Sequence, residues 1–495
     1  MRSYHEIATD KKLSYYIFIS VIILASFLYL FRLDTLPLND YDEATYAQVT
    51  RDTLASENLL TLSYFSEPWF EKPPLYFWSA MVTTRVFGQT EFAYRLPSAL
   101  MAIVVIAMLW LLVRRLTGDT ISATLASLIL IASPFFFITA RQVRLDIPVI
   151  AMILFAVTAF IYGWKRPWLL ALVAPAIALG FLFKSVIALI ALLVILIFSI
   201  VYRKFRWLRS GWFWAGVLGA LVILVPWHWY QYQQFGSSFV SQYIGFHIID
   251  RYTEGVGSTA GLQHIRYFKL LAEYGQPWIS LFAASLIFFV WHLSRKRDSS
   301  DFFVIASLIS AVAIYLLFSF GKTSILTYLL PMFPFIAIVV GVFVIFLFNR
   351  FRQPLARVFV SLVLIALIGY SYTISSGLNP NTLDTLYYPW SQYQKEIGLL
   401  VKEGSTAETT FYIFEWPTNE AFRFYSGKEL HFIGFPPPQG TVLQGPWFLF
   451  LTNTQVPIFL DEEGIVKPEY EQLEIKYGND MGQLFLFYSE EDLAL

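Results

Sequence analysis

The chain has 495 residues, of which 57% are hydrophobic and only 14% are charged. Soluble domains carry about 25% charged residues, so the composition excludes an ordinary soluble protein. Lys plus Arg and Asp plus Glu balance at 35 each, which leaves no basic excess, and we expect no nucleic-acid partner. The chain has no cysteine, which excludes disulfides, thiolate metal sites and a thiol nucleophile.

Apolar runs recur along the first three quarters of the chain. A spanning helix needs about 20 mostly apolar residues. Runs of that kind occupy residues 13–33, 97–113, 120–139, 147–163, 168–183, 186–202, 212–230, 277–293, 302–320, 326–348 and 357–375. The first run lacks a small-x-small cleavage site, so we expect an uncleaved anchor. The pattern predicts an all-α polytopic membrane domain over residues 1–375, with about 11–13 transmembrane helices.

Basic residues gather at every second connection between these runs. The members of this set include Arg2, Lys11, Lys12, Arg114, Arg115, Lys165, Arg166, Arg203, Lys204, Arg295, Lys296, Arg350 and Arg352. Short basic loops face the cytoplasm, so the N-terminus is predicted to be cytoplasmic. The long connections 34–96 and 231–276 are then on the outer face, together with the C-terminal tail.

Residues 376–495 have a different pattern. Short β-rich runs such as 410–416, 447–451 and 484–488 alternate with helix-like stretches such as 390–402. Turn-rich joints such as Phe435 to Gly440 separate them. This pattern predicts a small α/β soluble domain outside the membrane, and with it a periplasmic or extracellular C-terminus.

The first outer loop carries acids close to the membrane surface. Asp40, Asp42 and Glu43 directly precede a stretch, 44–55, that is predicted to form an interfacial helix. Acids at a helix N-terminus often only cap free amides and offset the helix dipole. An acid near the membrane surface can also take a proton from a hydroxyl or amine nucleophile. Both readings stay open on the residues alone.

Cations are scattered through the outer-facing connections: Lys72, Arg141, Arg144, Lys184, Arg251 and Lys322. Lys184 and Lys322 each stand nearly alone in a hydrophobic stretch, where an ionisable residue usually faces a cavity or a partner. Such cations beside interfacial aromatics suit a phosphate whose hydrocarbon tail remains in the bilayer. Ordinary snorkelling at a helix end is the alternative for each single residue.

His247 is the one histidine that we would pair with an acid, Glu71, as a metal site, although no local spacing makes a metal motif.

The sequence resembles a family of membrane glycosyltransferases at these residues. The resemblance is carried by Asp42-Glu43-Ala44-Thr45-Tyr46-Ala47 and by Glu71-Lys72-Pro73-Pro74-Leu75-Tyr76-Phe77-Trp78. Weaker matches follow at 91–99, at 144–148, and from Gly321-Lys322-Thr323 to Tyr328-Leu329-Leu330-Pro331. The family includes the bacterial aminoarabinose transferase of lipid A and the dolichyl-phosphate-mannose protein O-mannosyltransferases. The resemblance covers residues 1 to about 350 and implies the fold called GT-C.

The resemblance implies a function and roles for residues. Such enzymes take a sugar from a polyprenyl-phosphate donor and pass it, with inversion, to a hydroxyl of a lipid, glycan or protein acceptor. Asp42 matches the catalytic acid, with Glu43 beside it as a second catalytic candidate. Lys72 and Tyr328 match lipid-phosphate contacts, and Arg251, Lys322 and Lys184 are further donor-binding candidates.

Other roles are less defined. Glu71 and His247 match residues that contact a metal in a relative, so zinc, magnesium or manganese is a candidate cofactor. Asp146 and Arg144 match an outer-face motif without an assigned role. The expected location is the bacterial inner membrane, with membrane lipids as surroundings.

One departure from the family bears on the sugar. Related aminoarabinose enzymes often have Lys-Gly-Pro where this chain has Lys184-Ser185-Val186, which weakens any assignment of aminoarabinose. A transporter or flippase for lipid-linked sugars is an alternative function, as is a polymerase or ligase of lipid-linked oligosaccharide. The sugar and the acceptor stay open.

Overall fold

The computed structural model describes most of the chain before residue 376 and shorter parts after it. The described residues are 10–39, 41–56, 58–250, 253, 263–293, 301–322, 325–350, 354–375, 394–396, 398–399, 402–403, 410–413, 420–428, 430–432, 447–452, 471–476 and 483–488. Contacts divide the chain into two compact units, Met1–Leu33 with Thr53–Thr382, and Asp34–Asp52 with Leu383–Leu495. The predicted boundary near residue 375 stays a prediction, and the grouping of 34–52 with the C-terminal part was not anticipated.

Helices make up nearly all of the described chain before residue 376. The α-helices are α1 Lys11–Leu30, α2 Asp42–Ala55, α3 Leu75–Phe87, α4 Glu91–Thr117, α5 Thr120–Ile131, α6 Pro134–Ala140, α7 Asp146–Gly163, α8 Val173–Lys184, α9 Ile190–Tyr202, α10 Gly211–Phe239, α11 Gln263–Tyr274, α12 Trp278–Leu293, α13 Asp301–Ser319, α14 Phe333–Arg350 and α15 Pro354–Ser375. Short 3-10 segments lie at Pro167–Leu172, Ser185–Leu189, Arg206–Arg209 and Leu326–Met332, and a π-helical segment lies at Val240–Asp250.

The apolar runs predicted as spans lie on these helices, but their number differs from the prediction. Among the described residues, seven helical segments are long and apolar enough to cross a membrane, or eight if one bent pair counts as a span. The seven are Lys11–Leu30, Glu91–Thr117, Asp146–Gly163, Pro167–Tyr202, Gly211–Phe246, Asp301–Ser319 and Leu326–Arg350. The runs 168–183 and 186–202 fall within one of these segments, Pro167–Tyr202, and the described apolar parts of α12 and α15 are short. The helical membrane fold is confirmed, whereas the count of eleven is not, and the small C-terminal α/β domain stays a prediction.

Helix α4 shows how the sequence sets these elements. The Thr90 side chain accepts the Ala93 N–H at 3.2 Å and caps the start, and Gly118 ends the helix with a left-handed φ of 72°. Caps of this kind are each worth about 0.5–2 kcal/mol. Arg114 and Arg115 lie in the last turn, where cations complement the helix dipole.

Breaks in the helical segments occur at particular residues, and one further break is the kink at Gly236 within α10. Helices α5 and α6 meet at 71°, and Pro134 opens the second of them. Proline is favoured at the first position of a helix because it needs no amide donor there. Another break follows Lys184, where Ser185 has φ 53° and ψ −140°.

Strands occupy a small part of the described residues. Between α2 and α3, β1 Ser63–Tyr64 and β2 Glu67–Pro68 form an antiparallel pair. The C-terminal part contains β3 Thr410–Ile413, helix α16 Glu420–Ser426, and strands β4 Leu430–Phe432, β5 Trp447–Thr452, β6 Glu471–Lys476 and β7 Gln483–Tyr488. The five C-terminal strands form one sheet in the order β4-β3-β5-β7-β6. Strand β3 is parallel to both of its neighbours, whereas β7 is antiparallel to β5 and β6.

Candidate active site

The acidic turn at the start of α2 places its two predicted carboxylates in different environments. Asp42 is the first residue of α2 and is exposed, whereas Glu43 is fully buried. The Glu43 carboxylate accepts the Asn39 N–H at 2.7 Å, and the Ala44 N–H donates to the Asn39 carbonyl at 3.1 Å. This reciprocal pair closes the turn in the manner of a capping box. Glu43 therefore shapes the turn that presents Asp42.

A buried ion pair joins the start of α7 to the end of α8. Lys184 Nζ donates to Asp146 Oδ1, and the two side chains are only 13% and 8% exposed. The ammonium also lies over the Tyr328 ring, 5.7 Å from its centroid. Each charge suits its helix end, because an acid is favoured at the N-terminus and a cation at the C-terminus. The structure thus brings together three predicted site residues from distant parts of the chain.

The backbone after Lys184 is held by a residue that the sequence did not single out. The Ser185 hydroxyl donates to the Tyr243 hydroxyl at 2.9 Å. Tyr243 is itself 2% exposed and stacks on Phe239, with centroids 5.1 Å apart. No local motif marks Tyr243, because the contact joins residues that are far apart in the chain.

An aromatic cluster supports the cations of this region. Its buried members are Phe70, Leu182, Trp227, Phe239 and Tyr243. Phe70 precedes Glu71 and Lys72, and Leu182 lies just before Lys184. The cluster therefore packs beside the backbone positions that carry both lysines.

Lys72 lies mainly inside the protein. Its ammonium is 3.4 Å from the Glu71 carboxylate, and the side chains are 12% and 40% exposed, respectively. Glu71 thus compensates part of the lysine charge while remaining accessible to water. A lysine in this setting has donors to offer a phosphate at low desolvation cost.

Two predicted cations have structural contacts. The Arg141 guanidinium donates to the carbonyls of Leu28, Phe31 and Arg32 at 2.7, 2.9 and 2.9 Å, respectively. These are the last carbonyls of α1 and its exit, so Arg141 caps that helix. The Arg144 backbone is fixed by Ser98, whose hydroxyl accepts the Arg144 N–H at 3.2 Å and donates to its carbonyl at 2.7 Å.

Tyr267 fixes the segment that leads to Tyr328. Its hydroxyl accepts the Ile325 N–H at 3.2 Å. Burial raises the pKa of Tyr267 above its usual range, so the phenol stays neutral at physiological pH. This residue, too, was not predicted from the sequence.

The remaining predicted site residues are not all described. Lys322 is exposed and lies just after the end of α13. Arg251 and the side chain of His247 lie outside the described residues. Within the part of the chain that the structure describes, no group of three or more His, Cys, Asp or Glu residues is arranged to hold a metal. The metal site at Glu71 and His247 stays a prediction.

Comparisons with known proteins agree on one class. The sequence model of the dolichyl-phosphate-mannose-protein mannosyltransferase family matches residues 71–230. An uncharacterized protein of Aquifex aeolicus is 27% identical over 83% of this chain and 81% of its own length. Undecaprenyl phosphate-alpha-4-amino-4-deoxy-L-arabinose arabinosyl transferase 1 of Pseudomonas fluorescens is 26% identical over 61% of this chain and 54% of its own length.

Solved structures show the same fold. ArnT from Cupriavidus metallidurans bound to undecaprenyl phosphate aligns over 97% of this chain and 99% of its own, with a TM-score of 0.68 and 17% identity. The chain has the GT-C membrane fold. The Archaeoglobus fulgidus oligosaccharyltransferase also shares the fold, over 85% of this chain and 64% of its own, with a TM-score of 0.55 and 11% identity.

Several of these relatives match this chain over only part of their length. This GT-C chain aligns with 54% and 62% of the length of the arabinosyl transferases of Pseudomonas fluorescens and Proteus mirabilis, respectively. The mannosyltransferase match includes Lys72, Asp146 and Lys184 but begins after Asp42. The protein is an integral membrane protein.

Proposed function

We propose that the protein transfers a sugar from a polyprenyl-phosphate donor to a hydroxyl of a lipid, glycan or protein acceptor, with inversion, on the outer face of a bacterial inner membrane. Asp42 accepts the proton of the acceptor hydroxyl, whose oxygen attacks the anomeric carbon. The bond from that carbon to the phosphate oxygen breaks, and polyprenyl phosphate leaves with the electron pair. One displacement reverses the anomeric configuration.

The observation that carries the proposal is the buried lysine at the end of α8. Lys184 is 13% exposed and pairs with the Asp146 carboxylate beside the Tyr328 ring. A leaving phosphate needs cations more than it needs a general acid, and charges in a poorly hydrated site act strongly on it. We assign Lys184, Lys72 and Tyr328 to the donor phosphate, with Lys322 and Arg251 as additional candidates.

The relatives support the donor class. The arabinosyl transferases are named for undecaprenyl phosphate, and one solved relative of the same fold is described as bound to that lipid. For this chain, the cytoplasmic N-terminus and the outer C-terminal domain belong to the same proposal. The acceptor and the sugar are what the experiment below identifies.

A metal is not assigned a step in this reaction. Glu71, the predicted ligand, lies 3.4 Å from the Lys72 ammonium, and a divalent cation beside an ammonium is electrostatically disfavoured. Glu43, the second catalytic candidate, is committed to the Asn39 amide, so the proposal places proton transfer on Asp42.

The test compares carboxylate variants in lipid nanodiscs with a panel of radiolabelled polyprenyl-phosphate sugars and an envelope lipid extract. Asp42→Asn removes the proposed base and keeps the shape of the side chain. We expect the variant to lose at least about a hundredfold in sugar transfer, in the range of general-base catalysis. Release of free polyprenyl phosphate and movement of label to an acceptor are both measured.

Asp34→Asn is the matched control, because Asp34 is an exposed carboxylate of the same loop. It should transfer sugar at the wild-type rate. If Asp42→Asn and wild type transfer equally, Asp42 is not the base. If the wild type binds donors but consumes none, while it moves them across the nanodisc or vesicle membrane, the transporter alternative replaces the transferase.

A further inference from the structure

The segment that carries Asp42 is held by the C-terminal part of its own compact unit. The Leu38 N–H donates to the Tyr425 hydroxyl at 2.8 Å, and Leu38 is fully buried. Arg51 Nη1 donates to the Phe424 carbonyl at 2.7 Å. One contact lies before Asp42 in the chain and the other after it, so the acidic turn is tied at both ends.

The second contact has more than one component. The Arg51 guanidinium carbon is 4.6 Å from the centroid of the Phe424 ring, a cation–π arrangement. Arg51 Nη2 also donates to Gln48 Oε1, one turn back along α2. The guanidinium thus fixes the rotation of α2 relative to α16.

Helix α16 is itself well fixed. Phe424 and Tyr425 are each 7% exposed. The Phe422 N–H donates to the Gln394 side chain at 3.1 Å, and the Lys395 ammonium lies 5.3 Å from the centroid of the Tyr425 ring. A hydroxyl held in this way is a fixed acceptor for the Leu38 amide.

The turn needs such support because its backbone is strained. Tyr41, next to Asp42, has a φ of 64°, a conformation that bulky residues rarely adopt. Strained residues persist only where their surroundings determine the conformation. The Glu43 bond to Asn39 closes the turn locally, and Tyr425 and Arg51 fix the chain on either side.

We infer that Tyr425 and Arg51 are positioning residues, through which the C-terminal domain sets the orientation of the Asp42 carboxylate. The inference rests on the proposed role of Asp42 and assigns the domain a part in the chemical step, beyond any part in binding an acceptor. A misplaced base slows proton transfer without changing the contacts to the donor phosphate.

The test removes only one hydroxyl. Tyr425→Phe should lower kcat roughly tenfold and leave the KM for the donor within about twofold, since donor binding is ascribed to other residues. Hydrogen exchange should become faster at the amides of residues 34–52. Tyr162→Phe is the matched control, because its hydroxyl donates only at 3.4 Å to the Leu111 carbonyl, within the helical bundle; kcat and loop exchange should both stay at wild-type values.

Arg51 gives a second, graded test. Arg51→Ala removes both the hydrogen bond and the ring contact and should lower kcat, whereas Arg51→Lys keeps a donor for the Phe424 carbonyl and should restore part of it. Rescue by the lysine variant distinguishes positioning from a general loss of folding. The folded fraction of each variant is measured by gel filtration, and kcat is corrected for it.

The outcomes separate the inference from the proposed function. If Asp42→Asn transfers sugar normally, the proposed function fails, whatever Tyr425→Phe does. If Asp42→Asn is inactive while Tyr425→Phe keeps the wild-type kcat and loop protection, the positioning role is overturned. A fall in activity that only follows the loss of folded protein overturns it as well.

Discussion

At the scale of single residues, we expect the Lys184–Asp146 pair to contribute both to the stability of the fold and to binding of the donor phosphate, and mutation can separate the two contributions. Lys184→Met leaves the Asp146 carboxylate buried without its cation, and breaking a buried ion pair costs about 3–5 kcal/mol. The double variant Lys184→Met, Asp146→Leu removes both charges, and apolar replacement of a buried pair is often neutral or stabilising. We expect the unfolding temperature to fall in the single variant and to recover in the double variant.

Binding of tritiated undecaprenyl phosphate measures the other function. If Lys184 contacts the donor phosphate, both variants should bind this lipid at least about tenfold more weakly, equivalent to about 1.4 kcal/mol. Recovery of stability without recovery of binding would assign the lysine to the ligand. A double variant that is stable and binds like the wild type would make the pair purely structural.

The sequence singled out individual candidate residues but not the residues that contact them. An isolated lysine in an apolar run needs a partner in a low-dielectric setting, so Lys184 stood out before any contact was known. Its contacts with Asp146 and Tyr328 depend on how α7, α8 and the 325–332 segment pack. Tyr425 could not be foreseen, because its bond to Leu38 spans 387 residues and no local pattern encodes such a contact.

At the scale of elements, the break between α8 and α9 depends on the backbone of Ser185. Its φ of 53° with ψ of −140° belongs to a region that is nearly specific to glycine and costs other residues about 1–3 kcal/mol. The resemblance noted in the sequence places glycine here in many relatives. The departure at Ser185 therefore falls where the helical segment has an unusual backbone conformation.

This strain gives a direct comparison of two variants. Ser185→Gly and Ser185→Ala both lose the bond to Tyr243, but only glycine adopts the observed φ without strain. Allowing for the greater freedom of glycine in the unfolded chain, about 0.4–1 kcal/mol, we expect Ser185→Gly to be more stable than Ser185→Ala by about 1–2 kcal/mol. Thermal unfolding in detergent measures the difference.

Ser280 supplies the control for this comparison. It is an exposed serine within helix α12 whose hydroxyl is also hydrogen-bonded, to Gln276 at 2.7 Å. At an ordinary helical position alanine stabilises the protein by about 1 kcal/mol more than glycine does. We therefore expect Ser280→Ala to be more stable than Ser280→Gly. If the alanine variant were the more stable one at Ser185 as well, the backbone at Ser185 would not be strained.

Helices were easier to predict than strands for a physical reason. Long apolar runs are unambiguous in a membrane protein, because every backbone polar group must be paired within the segment. The strands at 410–413, 447–452 and 483–488 overlap the β-rich runs that the sequence indicated. Strand β6, Glu471–Lys476, was not anticipated, since it lies at the edge of the sheet and is rich in Glu and Lys, which strands disfavour.

At the scale of the whole molecule, orientation in the membrane was predicted from the positions of charges alone. The described helices confirm that apolar spans exist, but length and apolarity are the same for either orientation. The direction follows from a different quantity, the bias of Lys and Arg toward alternate connections, which acts during insertion. It therefore stays a prediction that only a measurement of sidedness tests.

The absence of cysteine makes that measurement direct, because any single cysteine introduced into the chain is the only thiol. Glu67→Cys lies in the exposed hairpin of the first outer loop, and Ser210→Cys lies at the basic connection before α10, where its hydroxyl makes no cap hydrogen bond. A membrane-impermeant maleimide added to intact spheroplasts should label Glu67→Cys and not Ser210→Cys, and both should react after the membrane is opened. The reverse pattern would place Asp42 and the buried lysines on the cytoplasmic side, where a donor on the outer face cannot reach them, and would overturn the orientation on which the proposed reaction depends.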